Sequence, residues 1–103
     1  MNAKDAFSAP GHPFNCAQSV AIGAGREDLL PELAACGGGR APGGRCGALH
    51  AALLIASPER HGVILEQFQA EAGALTCREI KNETHFPCIQ CVELASRLLE
   101  NRE

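Results

Sequence analysis

The chain holds no tryptophan, no tyrosine and only four phenylalanines among its 103 residues. A core poor in large aromatics has to come from Ala, Leu, Ile and Val, and abundant Ala favours close-packed helices over strands. Positive charge is scarce too: nine Lys and Arg face twelve Asp and Glu, for a formal net charge of -3. That balance lacks the basic face generic nucleic-acid binding needs, so no nucleic-acid partner is expected. No apolar run approaches the roughly 20 residues required to span a bilayer, and no membrane partner is expected. The stretch Met1-Asn2-Ala3-Lys4-Asp5-Ala6-Phe7 has no continuous apolar run of signal-peptide type. Together these absences point to a cytoplasmic protein. A length of about 100 residues suits one domain that buries about two-thirds of its unfolded surface.

What the chain does have is cysteine, six in all. Permanent disulfides are uncommon in a reducing compartment, so metal ligands, redox thiols or small buried residues are the options. Three disulfides of a secreted protein would fit the even count, but the missing signal stretch weakens that reading.

Residues 1–12 are expected to be irregular, because Ser8, Pro10, Gly11 and Pro13 break an early helix. Residues 13–103 are expected to form a single helical, cysteine-rich domain. The first helix starts near Pro13, carries Cys16 in its first turn and ends near Gly23 or Gly25. The second covers Glu27 to Cys36 and stops at Gly37-Gly38-Gly39. The third runs from Cys46 to Ala56 and is apolar nearly all round, which marks a central buried helix. The fourth spans Glu59 to Ala72, turns Val63, Ile64 and Phe68 inward and ends at Gly73. Thr76-Cys77-Arg78-Glu79 reads as a capping box opening a short helix that ends near Asn82. The last helix begins around Pro87 and carries Cys88, Cys91, Leu94, Ala95, Leu98 and Leu99 on one face. No strand pattern emerges. The expected fold is all-α: a compact bundle of four longer helices plus one short helix, with a glycine-rich loop before the third.

Five cysteines, Cys16, Cys46, Cys77, Cys88 and Cys91, fall at predicted helix starts. Partial positive charge and unbonded N–H groups gather there and favour an anion such as a thiolate. Cys16, Cys46, Cys77 and Cys91 lie on four different predicted helices. Convergence of those starts would give a four-thiolate site suited to an Fe–S cluster or to zinc. Cys88-Ile-Gln-Cys91 puts two sulfurs about one turn apart, either a redox dithiol or a pair of metal ligands, and Cys88 is an alternate to Cys91. Cys36, at a predicted helix end, reads as packing first and an accessory thiol second.

Gly39 to Gly44 has the glycine spacing of a phosphate-binding loop. Arg45-Cys46 replaces the required Lys-Ser/Thr, however, and no strand precedes it. The better reading is that Gly37, Gly38, Gly39, Gly44 and Gly47 let backbone come close to a cluster and donate N–H groups to its sulfur. His50, one turn after Cys46 on the same face, is a candidate ligand or proton partner for a thiol, against the plainer role of a partly buried residue. His12, His61 and His85 fall in loops or at helix edges. The carboxylates Glu27, Asp28, Glu59, Glu66 and Glu79 read as helix-start and solvated-face charges.

Asn15-Cys16-Ala17-Gln18-Ser19-Val20, Gly37-Gly38-Gly39, Cys46-Gly47-Ala48-Leu49, Cys77-Arg78-Glu79 and Cys91-Val92-Glu93-Leu94-Ala95 together resemble the redox-active family named for its C_GCAxxG_C_C cysteine pattern. The resemblance runs from about residue 14 to 100, with Ala51 standing where the CGAxxG motif ends in glycine. It implies that Cys16, Cys46, Cys77 and Cys91, or Cys88 in place of the last, are the family cysteines. It also implies a redox role, with an Fe–S centre suspected in similar domains. The expected function is electron transfer or redox sensing through an Fe–S cluster, with a redox partner protein. One alternative is metal-free thiol–disulfide chemistry at Cys88 and Cys91, with Cys16, Cys46 or Cys77 as partner. The other is a structural zinc site in an interaction module. The apolar third helix also leaves room for a homodimer.

Overall fold

A computed structural model describes residues 3–8, 14–36, 44–84, 86 and 88–100, with the side chains at 77, 81, 88 and 100 outside that description. The architecture is all-helical. Seven α-helices are found among the described residues: α1 Ala3–Phe7, α2 Cys16–Gly23, α3 Leu30–Leu33, α4 Gly47–Ile55, α5 His61–Ala72, α6 Cys77–Glu79 and α7 Cys88–Glu100. The turns Glu27–Leu29 and Pro58–Arg60 wind into α3 and α5 as 3-10 helix, and a π-helical turn, Ile80–Thr84, follows α6. The one extended pairing among the described residues is an isolated antiparallel bridge between Arg45 and Thr76.

Small residues let the helices close on one another. Ala17, Val20 and Ala21 of α2, Ala48, Leu49, Ala51 and Ala52 of α4, and Val92, Leu94 and Ala95 of α7 are buried in one cluster with Phe68 of α5. The helices α2, α4 and α7 pack on each other, and α1 and α5 pack on that trio. As its composition predicts, α4 is mostly buried, although Leu54 turns outward and is 45 % exposed, and α2 packs on more elements than α4 does.

Four expectations need correction. Residues 1–12 are not irregular throughout: α1 buries Ala3 and Ala6. It can do so because Gly23 has no Cβ; one built there would lie 2.6 Å from the Ala3 nitrogen. The first long helix starts at Cys16 rather than near Pro13, which lies outside the described residues, because Asn15 is its N-cap. The second is shorter than Glu27 to Cys36. Its last α-helical residue is Leu33, and the Cys36 N–H closes a tight turn onto the Leu33 carbonyl. Val63 does not face inward; it is 47 % exposed, because the buried stripe of α5 is Ile64, Phe68 and Ala72, at helical spacing.

The punctuation of α5 and α6 is largely as predicted. Gly73 ends α5 in the left-handed conformation at φ 88° and its N–H bonds to the Gln69 carbonyl. Thr76 Oγ1 accepts from the Glu79 N–H at 3.3 Å. The reciprocal half of the capping box differs, since the Glu79 carboxylate accepts a hydrogen bond from the Thr76 hydroxyl at 2.8 Å.

Candidate functional site

The direction of the three core helices decides where the cysteines go. Gly23 and Ala24 at the end of α2, Ile55, Ala56 and Ser57 at the end of α4, and Ser96 and Leu99 on α7 line one cavity of about 360 Å³ together with Arg60. The three helices therefore finish at one end of the bundle and start at the other. At 1.5 Å per residue, Cys16 stands about 10 Å back from Gly23, Cys46 about 13 Å back from Ile55, and Cys91 about 12 Å back from Leu99. Cys16, Cys46 and Cys91 thus occupy similar depths along the bundle. Cys88 lies about one turn further out.

Cys16 is the first residue of α2, and Asn15 prepares it. The Asn15 side chain accepts from the Gln18 N–H at 2.7 Å, and the Gln18 side chain accepts from the Asn15 N–H at 3.0 Å. This is a reciprocal capping box. The same two side chains reach across to α3: Asn15 Nδ2 donates to the Leu33 and Ala34 carbonyls, and Gln18 Nε2 to the Leu30 carbonyl. The start of α2 is so tied to the end of α3, two residues before Cys36.

Cys46 is the N-cap of α4, and its N–H donates to the Leu75 carbonyl at 2.9 Å. With the Arg45–Thr76 bridge, this bond brings the backbone just ahead of Cys77 alongside Cys46. Gly47 then sits in a tight place. A Cβ there would lie 2.5 Å from the Cys36 carbonyl oxygen and 2.8 Å from the Cys16 sulfur. Backbone thus comes close to the Cys16 sulfur at Gly47. Gly44 is different: it takes the left-handed conformation at φ 74° with no described atom within 4 Å of a Cβ, so it serves the turn. Gly37, Gly38 and Gly39 lie outside the described residues, as do His12 and His85.

Cys46 and Cys91 are buried, whereas Cys16 and Cys36 are half-buried. No carboxylate stands in the first turn of α2, α4 or α7. The turn Glu27–Leu29 and the helices α3 and α6 each carry one or more. The starts of α2, α4 and α7 therefore have no first-turn carboxylate to offset their partial positive charge, whereas α6, which begins at Cys77, has Glu79. Among the described residues no three His, Cys, Asp or Glu form a group that could hold a metal ion. The side chains of Cys77 and Cys88 lie outside them.

His50 lies one turn into α4, and its Nδ1 is buried with no hydrogen-bond partner among the described residues. It lines a groove of about 410 Å³ between α4 and α5 with Arg45, Leu53, Leu54, Ala56, Pro58, His61 and Leu65. Burial, and then the charge of Arg45, hold its pKa below the ordinary imidazole value, with Glu32 opposing. His61, on the far side of that groove, approaches the Ala56 carbonyl at 3.3 Å.

The role of Asn15 and Gln18 went unread in the sequence although the signal was present. Asn-x-x-Gln before an apolar run is a capping-box pattern of the same kind as Thr76 to Glu79. Among the described residues no helix is long and apolar enough to cross a membrane. Comparison with family models, with curated proteins and with solved structures gave no match for the chain.

Proposed function

We propose that the chain is a small cytoplasmic redox protein whose centre is the cysteine end of the bundle. Cys16, Cys46, Cys77 and Cys91 hold an Fe–S cluster, and the protein passes electrons to, or senses the redox state of, a partner protein. The observation that carries this reading is the shared end of α2, α4 and α7: three helix starts, each with a cysteine, none with a first-turn carboxylate. A thiolate-ligated cluster has a net negative charge, and such an end attracts it. Bound there, the cluster would supply one-electron transfer.

The chain's own residues prepare the place. Asn15 and Gln18 fix the start of α2 against α3. Gly47 leaves room beside the Cys16 sulfur. Burial of Cys46 and Cys91 keeps water from two of the sulfurs, while half-buried Cys16 lies toward the surface a partner would meet. The resemblance to the C_GCAxxG_C_C family points to the same chemistry.

Anaerobic purification with iron, sulfide and zinc analysis tests the reading. A brown protein with iron and acid-labile sulfide, lost on Cys→Ser change at any of the four positions, is the expected result. Colourless, iron-free protein after anaerobic reconstitution with iron and sulfide would overturn it, and stoichiometric zinc instead would mark a structural site. A metal-free thiol–disulfide protein is the second reading. It is favoured by the lack of a three-residue metal group among the described residues, and it requires reversible loss of thiols in pairs.

A further inference from the structure

We infer that Cys16 and Cys36 form an oxidisable thiol pair, so that Cys36 is a functional partner of Cys16 and more than a packing residue. Two observations bring the Cys36 backbone beside the Cys16 sulfur, and the Cys36 thiol, which contacts the Glu32 carbonyl at 4.0 Å, turns from it to pair. The Cys16 sulfur and the Cys36 carbonyl both border the point that a Gly47 Cβ would occupy, at 2.8 and 2.5 Å. Asn15, adjacent to Cys16, is bonded through its side chain to Leu33 and Ala34, which lead into Cys36. Both cysteines are half-buried, whereas Cys46 and Cys91 are buried, so of these four an oxidant in solution meets the pair first.

The chemistry balances with a small-molecule disulfide as oxidant. Cys16 occupies the first position of a helix, which favours its thiolate. That thiolate attacks one sulfur of the disulfide, and the other sulfur leaves as a thiolate and takes the released proton. The Cys36 thiolate then attacks the Cys16 sulfur of the mixed disulfide and expels the second small thiol. Two protein thiols lose two electrons and two protons, and the small disulfide gains them. The pairing is a property of the thiols alone. Its consequence, that Cys16 is withdrawn from a metal centre, rests on the Fe–S reading.

Trypsin separates the sulfurs well, since cleavage at Lys and Arg leaves Cys16 in residues 5–26, Cys36 in 27–40, Cys46 in 46–60, Cys77 in 61–78, and Cys88 with Cys91 in 82–97. Metal-free protein is treated with oxidised glutathione, alkylated and mapped without reduction. The expected result is loss of two of the six thiols, with peptide 5–26 joined to 27–40. Dithiothreitol should restore both. Cys36→Ser should abolish that link, and Cys36→Ala should do the same if the serine variant is poorly folded. A dominant link from 5–26 to any other peptide, or a covalent dimer, overturns the pairing. Failure to load iron leaves the peptide map intact, so collapse of the Fe–S reading and collapse of the pair are separately visible.

Discussion

Where α2, α4 and α7 finish, carbonyl groups converge and an arginine meets them; where the same helices start, N–H groups converge and cysteines meet them. At the first end Arg60 donates to the Leu98 carbonyl at 2.6 Å and to the Leu99 carbonyl at 3.3 Å, so a cation fixed in the chain answers the negative end of α7. At the second end no first-turn carboxylate answers the positive ends. Helix dipoles alone would leave the two ends with equal and opposite partial charge, each calling for a counter-charge. The difference lies in side-chain choice: one end is completed by the fold, and the other is left suited to a thiolate or a bound anion.

The sharpest way to break the comparison is Gly47→Ala. Its Cβ would fall inside the contact distance of both the Cys36 carbonyl and the Cys16 sulfur, at 2.5 and 2.8 Å, and the carbonyl, being backbone, cannot swing aside as a side chain can. Overpacking of this kind costs about 1–3 kcal/mol. The variant should lose that much in urea unfolding and should also lose metal content on anaerobic loading. An unchanged unfolding midpoint would mean that the cysteine end is not tightly built.

Asn15→Ala comes next. It deletes a cap on α2 together with two bonds to the end of α3. Loss of an N-cap costs about 1 kcal/mol, and the orphaned carbonyls add to this where water cannot reach them. A drop of about 1–2 kcal/mol is expected by thermal or urea unfolding, with faster alkylation of Cys16 and Cys36. Arg60→Met, which keeps much of the apolar stem, should cost about 1 kcal/mol through the α7 carbonyls and leave metal content unchanged. If Arg60→Met disturbed the metal as strongly as Gly47→Ala, the two ends would not be separable.

Much of this contrast was legible in the sequence. The helical class followed from the Ala-rich apolar periodicity, and Cys16 and Cys46 were read at helix starts because Gly, Pro and polar residues flank them. Position along the bundle was not legible. That α2, α4 and α7 run the same way depends on α5 carrying the chain back from Arg60 to Thr76, which is a tertiary fact. For the same reason α1 was missed: its helical form depends on Ala3 fitting against Gly23, twenty residues away. Gly47 was read as a close-approach glycine, but its neighbours, Cys16 and the Cys36 carbonyl, come from elsewhere in the chain. Val63 was misplaced because an apolar residue beside the buried stripe of α5 looks the same in sequence as one within it.

The finest probe is His50, which stands one turn from Cys46 on the groove side of the cysteine end. Its folded-state pKa lies below the ordinary value of 6.5, first because of burial and then because of Arg45, against a smaller pull from Glu32. The unfolded chain keeps the ordinary value, so as pH falls through 6.5 it takes up a proton before the folded chain does. Stability present above that pH is therefore lost as pH falls toward the folded-state pKa, and the loss levels off below it. Urea midpoints measured from about pH 8 down to about pH 5 should fall through this window in the wild type and stay flatter in His50→Gln. Protonation would also put a second cation beside Arg45 near the unneutralised start of α4. A variant with the same slope as the wild type would move the acid sensitivity elsewhere, and would leave the buried Nδ1 with no part in how this end answers to charge.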